Sequence, residues 1–149
     1  MKQIVTLFIF TSIIFAATIN IPADYTTIQA GINASVNGDT VLVAQGTYSE
    51  NLILANEIVL ASYAIYDDLD SQWLDNDNIN NTIISGTHSG SCLIVRDGNI
   101  EPTVFGFTFQ NGTGTNMAIT KCGVMKSERS GGAILLYKAY PTINYNRFM

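Results

Sequence analysis

The chain has little charge. Only 13% of its 149 residues are Asp, Glu, Lys or Arg, and seven of them are basic. Cations this few and this scattered do not form the basic stripe that a phosphate backbone requires, and a formal charge of −5 argues the same way, so nucleic acid is excluded as a partner. One His and two Cys show no zinc-ligand spacing. Long stretches of Ala, Glu and Lys with helical periodicity are missing, which removes helical bundles. What remains is a chain that is 47% hydrophobic, with 12 Gly and frequent Asn and Thr. That composition belongs to a protein of strands and turns, and the length suits one domain with a sizeable core.

Residues 1–17 read as a signal peptide. Lys2 precedes an almost uncharged run from Ile4 to Ala17, and small residues close it. The run is short for a transmembrane helix, which needs roughly 20 apolar residues. The small residues Ala16-Ala17-Thr18 put the cut anywhere from Ala16 to Thr18. The mature chain is therefore expected to be secreted or held at the cell surface, with no transmembrane span once the leader is removed. In an oxidising compartment Cys92 and Cys122 can pair, worth about 3 kcal/mol in the chain-entropy model. The alternative is two small buried hydrophobes.

One helix is expected, in Asp24 to Gly38. Thr26 and Gln29 fit a capping box, Ile28, Ile32 and Val36 make one apolar stripe, and Asn37-Gly38 supplies a stop. Beyond it come brief apolar or β-branched runs: TVLVA, NLIL, EIVLASYAI, TIISG, CLIV, TVFGFTF, GAILLY and PTINYNRF. Each ends at Gly, Asn, Asp or Ser, with no Asn-Gly hairpin between runs and no helix long enough for a crossover. Parallel strands joined by irregular turns fit this better than an antiparallel sandwich.

Internal similarity points to repetition. Thr82-Ile83-Ile84-Ser85-Gly86 resembles Thr103-Val104-Phe105-Gly106 about 21 residues on, and Pro102-Thr103-Val104 returns as Pro141-Thr142-Ile143. Repeats of this length imply a solenoid whose coils stack like side chains into a column, with Gly46-Thr47-Tyr48 as a corner and the helix lying over the N-terminal end. The segment Gly112 to Gly132 is an excursion that lengthens one repeat. The last residues, Asn144 to Met149, read as a strand without a polar cap, so 18–149 is expected to be the N-terminal part of a longer domain, its final coil covered by further coils of the same chain or by another chain.

The stretch TIQAGINASVNGDTVLVAQGTYSENLIL resembles the opening of right-handed parallel β-helix proteins of the pectin lyase-like superfamily, and TIISG, PTVFGFTFQNG and GGAILLYKAYPTINYNRF resemble their coil repeats. The expected fold is thus all-β, a right-handed parallel β-helix (solenoid) with a short N-terminal capping helix. Phe107-Thr108-Phe109-Gln110-Asn111 looks like a pectinesterase segment, but the Gln and two Asp that those enzymes carry on following coils have no counterpart. His88 sits in Gly-Thr-His-Ser-Gly rather than Gly-His-Gly, and Arg96 and Arg147 lack a neighbouring Asp cluster. No catalytic role transfers to any residue.

Binding candidates come from one loop. Tyr66 to Asn78 holds Asp67, Asp68, Asp70, Asp75 and Asp77, five of the twelve acids, and oxygen-rich loops of this kind suit Ca²⁺ as well as a solvated turn. Trp73 and Tyr66 offer aromatic faces to a sugar ring, although such a Trp also serves to pin its loop. Phe107 and Phe109 are read as core. The functional expectation is a non-catalytic module displaying loops for a polysaccharide or a cell-surface glycan. The alternative is a carbohydrate-active enzyme (lyase, esterase or hydrolase) whose catalytic residues lie beyond the C-terminus.

Overall fold

The computed structural model describes residues 15–70, 73–121 and 124–149. The leader up to residue 14 and Cys122 lie outside the described residues. In chain order the elements are β1 (Thr18–Ile21), α1 (Ile28–Ala34), β2 (Thr40–Val43), β3 (Gly46–Tyr48), β4 (Leu52–Leu54), β5 (Val59–Ser62), α2 (Asp77–Asn81), β6 (Thr82–Ser85), β7 (Leu93–Ile100), β8 (Thr103–Phe105), β9 (Thr108–Gln110), β10 (Thr115–Lys121), β11 (Val124–Ser130), β12 (Ile134–Ala139), β13 (Thr142–Asn144) and β14 (Arg147–Phe148).

Three parallel sheets result. The first has the order β1-β2-β5-β8-β13, the second β3-β6-β9-β14 and the third β4-β7-β12. From β2 onward the chain visits first, second and third sheet in turn and then begins again, so each circuit lays one strand beside its predecessor in every sheet. Parallel strands with turns in place of crossover helices are what the short runs require. Where nothing is inserted the circuit is brief: Val59 pairs with Thr40.

Register turns the apolar runs into columns. Ile19, Val41, Leu60, Val104 and Ile143 align across the first sheet and face inward. Tyr48, Ile84, Phe109 and Phe148 align in the second, and Leu52, Leu93 and Ile134 in the third. The middle members are fully buried in one core that also holds Phe107. A period of two along each strand sends alternate residues out, and on the first sheet these include Thr18, Thr40, Thr103 and Thr142.

Several sequence expectations need correction. Gly46-Thr47-Tyr48 is strand β3, not a corner, and the Thr82 and Thr103 runs fall in different sheets, so their resemblance reflects a shared strand pattern rather than one repeat. The Pro102 and Pro141 segments do stack, Thr103 against Thr142. Both corners that follow need left-handed backbone: Gly106 has φ +79 and Tyr145 has φ +54. Gly112 to Gly132 is not a plain loop, since β10 and β11 form an antiparallel hairpin.

The helix is shorter than its apolar stripe. It starts after the N-cap Thr27, whose Oγ1 accepts from Ala30 N at 3.2 Å, and it ends at Ala34. Ile28 and Ile32 are buried, whereas Val36 lies past the end and is 56% exposed. The cap partners come from the next circuit. Glu50 accepts from Ile28 N and Gln29 N, each at 3.0 Å, and Asn56 donates to the carbonyls of Ile32 and Ser35. A carboxylate on the first-turn amides satisfies donors the helix cannot. Gln29 is therefore free of any capping box, and its carboxamide bonds Ile53 N at 2.7 Å and Ile53 O at 3.0 Å, closing the free edge of β4. We expect Glu50→Ala to cost about 1–2 kcal/mol in urea unfolding and to speed amide exchange at Ile28 and Gln29. Unchanged exchange there would mean that Glu50 does not hold the helix.

Asp39 closes the other side of this end. Its Oδ2 accepts from Val36 N and its Oδ1 from Ala17 N, both at 2.8 Å, and these bonds hold its carboxyl below the ordinary value of 3.8. A folded pKa depressed in this way gives stability that is present above pH 3.8 and lost as pH falls through the lower folded value. The melting temperature of the wild type should accordingly exceed that of Asp39→Asn at pH 6, with the gap closing as the pH falls through the lowered folded value.

Candidate functional site

Between β5 and β6 the chain leaves the sheets for an excursion that folds back on their outer surface. Ser62 begins it, its Oγ accepting from Ala64 N at 3.2 Å and donating to the Gly106 carbonyl, and a 3₁₀ turn follows at Tyr63–Tyr66. Asp67 then accepts from the side-chain amides of Asn76 and Asn78, both at 2.8 Å, which lowers its pKa and ties the two limbs together. Asn76 Oδ1 accepts from Ile79 N and so caps α2. Ala64, Leu69 and Ile79 make a small buried cluster beneath, with Trp73 and Phe105 packed on it. The excursion is thus a built surface rather than a solvated turn.

Its aromatic side chains form a row. Tyr145 approaches Phe105 with ring centroids 5.2 Å apart and meets Trp73 edge-on at 6.0 Å. Phe105 points outward from β8, and Tyr145 comes from the last corner, so three separate circuits contribute one ledge. Tyr66, 70% exposed, lies tilted against Tyr63 at 6.2 Å. Of the two aromatic residues singled out from sequence, Trp73 is half-buried in the ledge and Tyr66 stands free of it. Phe105 and Tyr145 escaped sequence reasoning. The Pro-Thr repeat that aligns Asn144-Tyr145-Asn146 with Phe105-Gly106-Phe107 was the signal that could have found them.

The five carboxylates of this loop do not converge. Asp67 is engaged as described, Asp68 accepts from Asp70 N, and of the exposed pair Asp75 ends the 3₁₀ turn Trp73–Asp75 while Asp77 opens α2. Among the described residues no three His, Cys, Asp or Glu are grouped to hold a metal ion. Cys92 is buried, donates to the Gln110 carbonyl at 3.2 Å and has its thiol pushed up by burial, so it stays protonated and structural. Phe107 and Phe109 are core, as read from the sequence, with centroids 6.1 Å apart.

A second concavity lies beside α1. Gln29, Asn33, Asn51 and Asn56 line a groove of about 580 Å³ floored by Ile32, Ile53 and Ala55. Asn51 links it to a run of hydroxyls, accepting from Thr87 and Ser89 and donating to the Ser91 carbonyl at 2.8 Å. Groove and ledge both offer hydrogen-bonding groups and apolar faces that can hold a ligand.

No family model, no curated protein and no solved structure matches the chain. Among the described residues no helix is long and apolar enough to cross a membrane.

Proposed function

We propose that the chain is a right-handed parallel β-helix of the pectin lyase-like type, exported and non-catalytic, that holds a polysaccharide or cell-surface glycan on its outer wall. The cyclic order of the three parallel sheets supports the fold, with the hand following from the general rule for parallel crossovers. The observation that carries the function is the ledge of Trp73, Phe105 and Tyr145, an aromatic surface on the excursion that also carries the Asp67, Asn76 and Asn78 side chains. Sugar rings carry apolar C–H faces and hydroxyl rims, and a surface with both kinds of group matches them.

The single Trp makes the test direct. Titration with soluble oligosaccharides should shift the Trp73 emission, and Trp73→Ala should weaken retention on the matching insoluble polysaccharide at least tenfold while the far-ultraviolet spectrum is kept. That tenfold corresponds to about 1.4 kcal/mol. Emission unmoved by neutral and acidic glycans alike would remove the ledge as a glycan site. Release of shorter products from a bound glycan would instead mark the carbohydrate-active alternative.

A further inference from the structure

We propose that export leaves Ala17 as the first residue of the mature chain and that its new α-ammonium group seats on the Asp39 carboxylate. The inference rests on the leader reading of residues 1–17, and it chooses among cuts that the sequence leaves open.

Ala17 is already wired at both its polar atoms. Its N lies 2.8 Å from Asp39 Oδ1, and its carbonyl accepts from Thr40 N at 2.8 Å, one step ahead of the Thr18–Thr40 pair that opens the first sheet. Asp39 is only 4% exposed, and its other oxygen is taken by Val36 N. A cut after Ala17 removes both Ala17 groups, leaving Thr40 N without its acceptor and Asp39 Oδ1 without its donor at a site largely closed to water. A cut after Thr18 takes away the first residue of β1 as well. Of these three cuts only the one after Ala16 keeps every bond, and it turns a neutral N–H into an ammonium donor facing a carboxylate, a shorter and stronger contact than the amide of a chain beginning at Ala16 would give. Phe15, 80% exposed, and Ala16 stand clear of the sheets, so their removal costs no packing. Hydrolysis of the Ala16–Ala17 peptide bond consumes one water, leaving a carboxylate on Ala16 and the amine on Ala17.

Secretion of the full chain from its own leader, followed by N-terminal sequencing and intact mass, should give Ala17-Thr18-Ile19. Chains made to begin at Ala16, Ala17 and Thr18 should then rank in melting temperature with Ala17 highest and Thr18 lower by about 5 °C, roughly the shift for one lost charged hydrogen bond in a domain of this size. Asp39→Asn should lower the Ala17 chain much more than the Thr18 chain, since only in the first does the terminal ammonium sit on the Asp39 carboxylate. A mature terminus at Thr18 or Ile19, or equal melting of the three chains, overturns the proposal and leaves export standing. Recovery of the whole chain still beginning at Met1 overturns both.

Discussion

Phe109→Ala is expected to lower the free energy of unfolding by about 3–5 kcal/mol, with a fall in melting temperature of roughly 10 °C or more. Phe109 is fully buried and occupies the middle of the inward column of the second sheet, between Ile84 and Phe148. Its ring lies nearly parallel to that of Phe148 with centroids 5.6 Å apart, and meets Phe107 at 6.1 Å. These neighbours cannot move into the space its removal leaves, because strand register holds Ile84 and Phe148 and backbone bonds to Asn146 Oδ1 and Arg147 N hold Phe107, so the cavity term is added to the lost transfer energy. The control lies in the same column. Phe148 is 55% exposed on the last strand, and Phe148→Ala should cost less than half as much in the same urea titration. Equal losses for the two would show that the column does not form an interior.

The second large effect is expected where backbone touches backbone. Gly112 follows β9 at the point where the β10–β11 hairpin departs, and Gly132 lies where the hairpin returns. A Cβ added at Gly112 would stand 2.0 Å from the Gly132 carbonyl oxygen and 2.8 Å from Cys92 Sγ. Neither can yield cheaply. The Gly132 oxygen accepts from Cys92 N at 3.2 Å, and Cys92 in turn presents its carbonyl to Leu52 N at 2.8 Å, so a push at Gly112 is carried into the third sheet. Gly112→Ala should therefore destabilise by about 3 kcal/mol or more, at or beyond the upper end of ordinary overpacking. Thermal melting measures it, and a change under 1 kcal/mol would mean that the hairpin's return limb does not lie against β9. Removal of the thiol by Cys92→Ala in the same chain should recover only a small part of the loss, since the nearest obstruction is the carbonyl.

Much of this was legible in the sequence because it depends on local rules. Short β-branched and aromatic runs ended by Gly, Asn or Ser gave the strands, the shortage of hairpin turns and crossover helices gave parallel pairing, and Ile28 with Ile32 gave a helix with one buried face. The aliphatic columns follow from alternation within each run. The helix boundary was misjudged at Val36 because an apolar stripe does not show where the cap lies, and the partners that set it, Glu50 and Asn56, sit one circuit downstream. The match of Thr82 with Thr103 failed for a related reason: every strand in such a chain has a similar pattern, and pattern alone does not say which sheet a strand joins.

The candidate surfaces were the least legible part. Trp73 drew notice as the one Trp, yet its neighbours Phe105 and Tyr145 lie in other circuits and are ordinary strand and corner residues when read in line. The cluster of Asp residues read in sequence as a solvated turn or a cation loop; two Asn side chains reach Asp67 across the excursion, and among the described residues no three His, Cys, Asp or Glu are grouped to hold an ion. By itself, then, the sequence determined what depends on neighbours along the chain: strand and turn content, the parallel habit, the apolar columns and the exclusion of a basic surface. Tertiary structure alone decided which strand lies beside which, where α1 ends, and which aromatic and amide side chains share a surface. The physical reason is that these contacts join residues far apart in sequence, and their distances are fixed by the stacking of whole circuits rather than by any local preference.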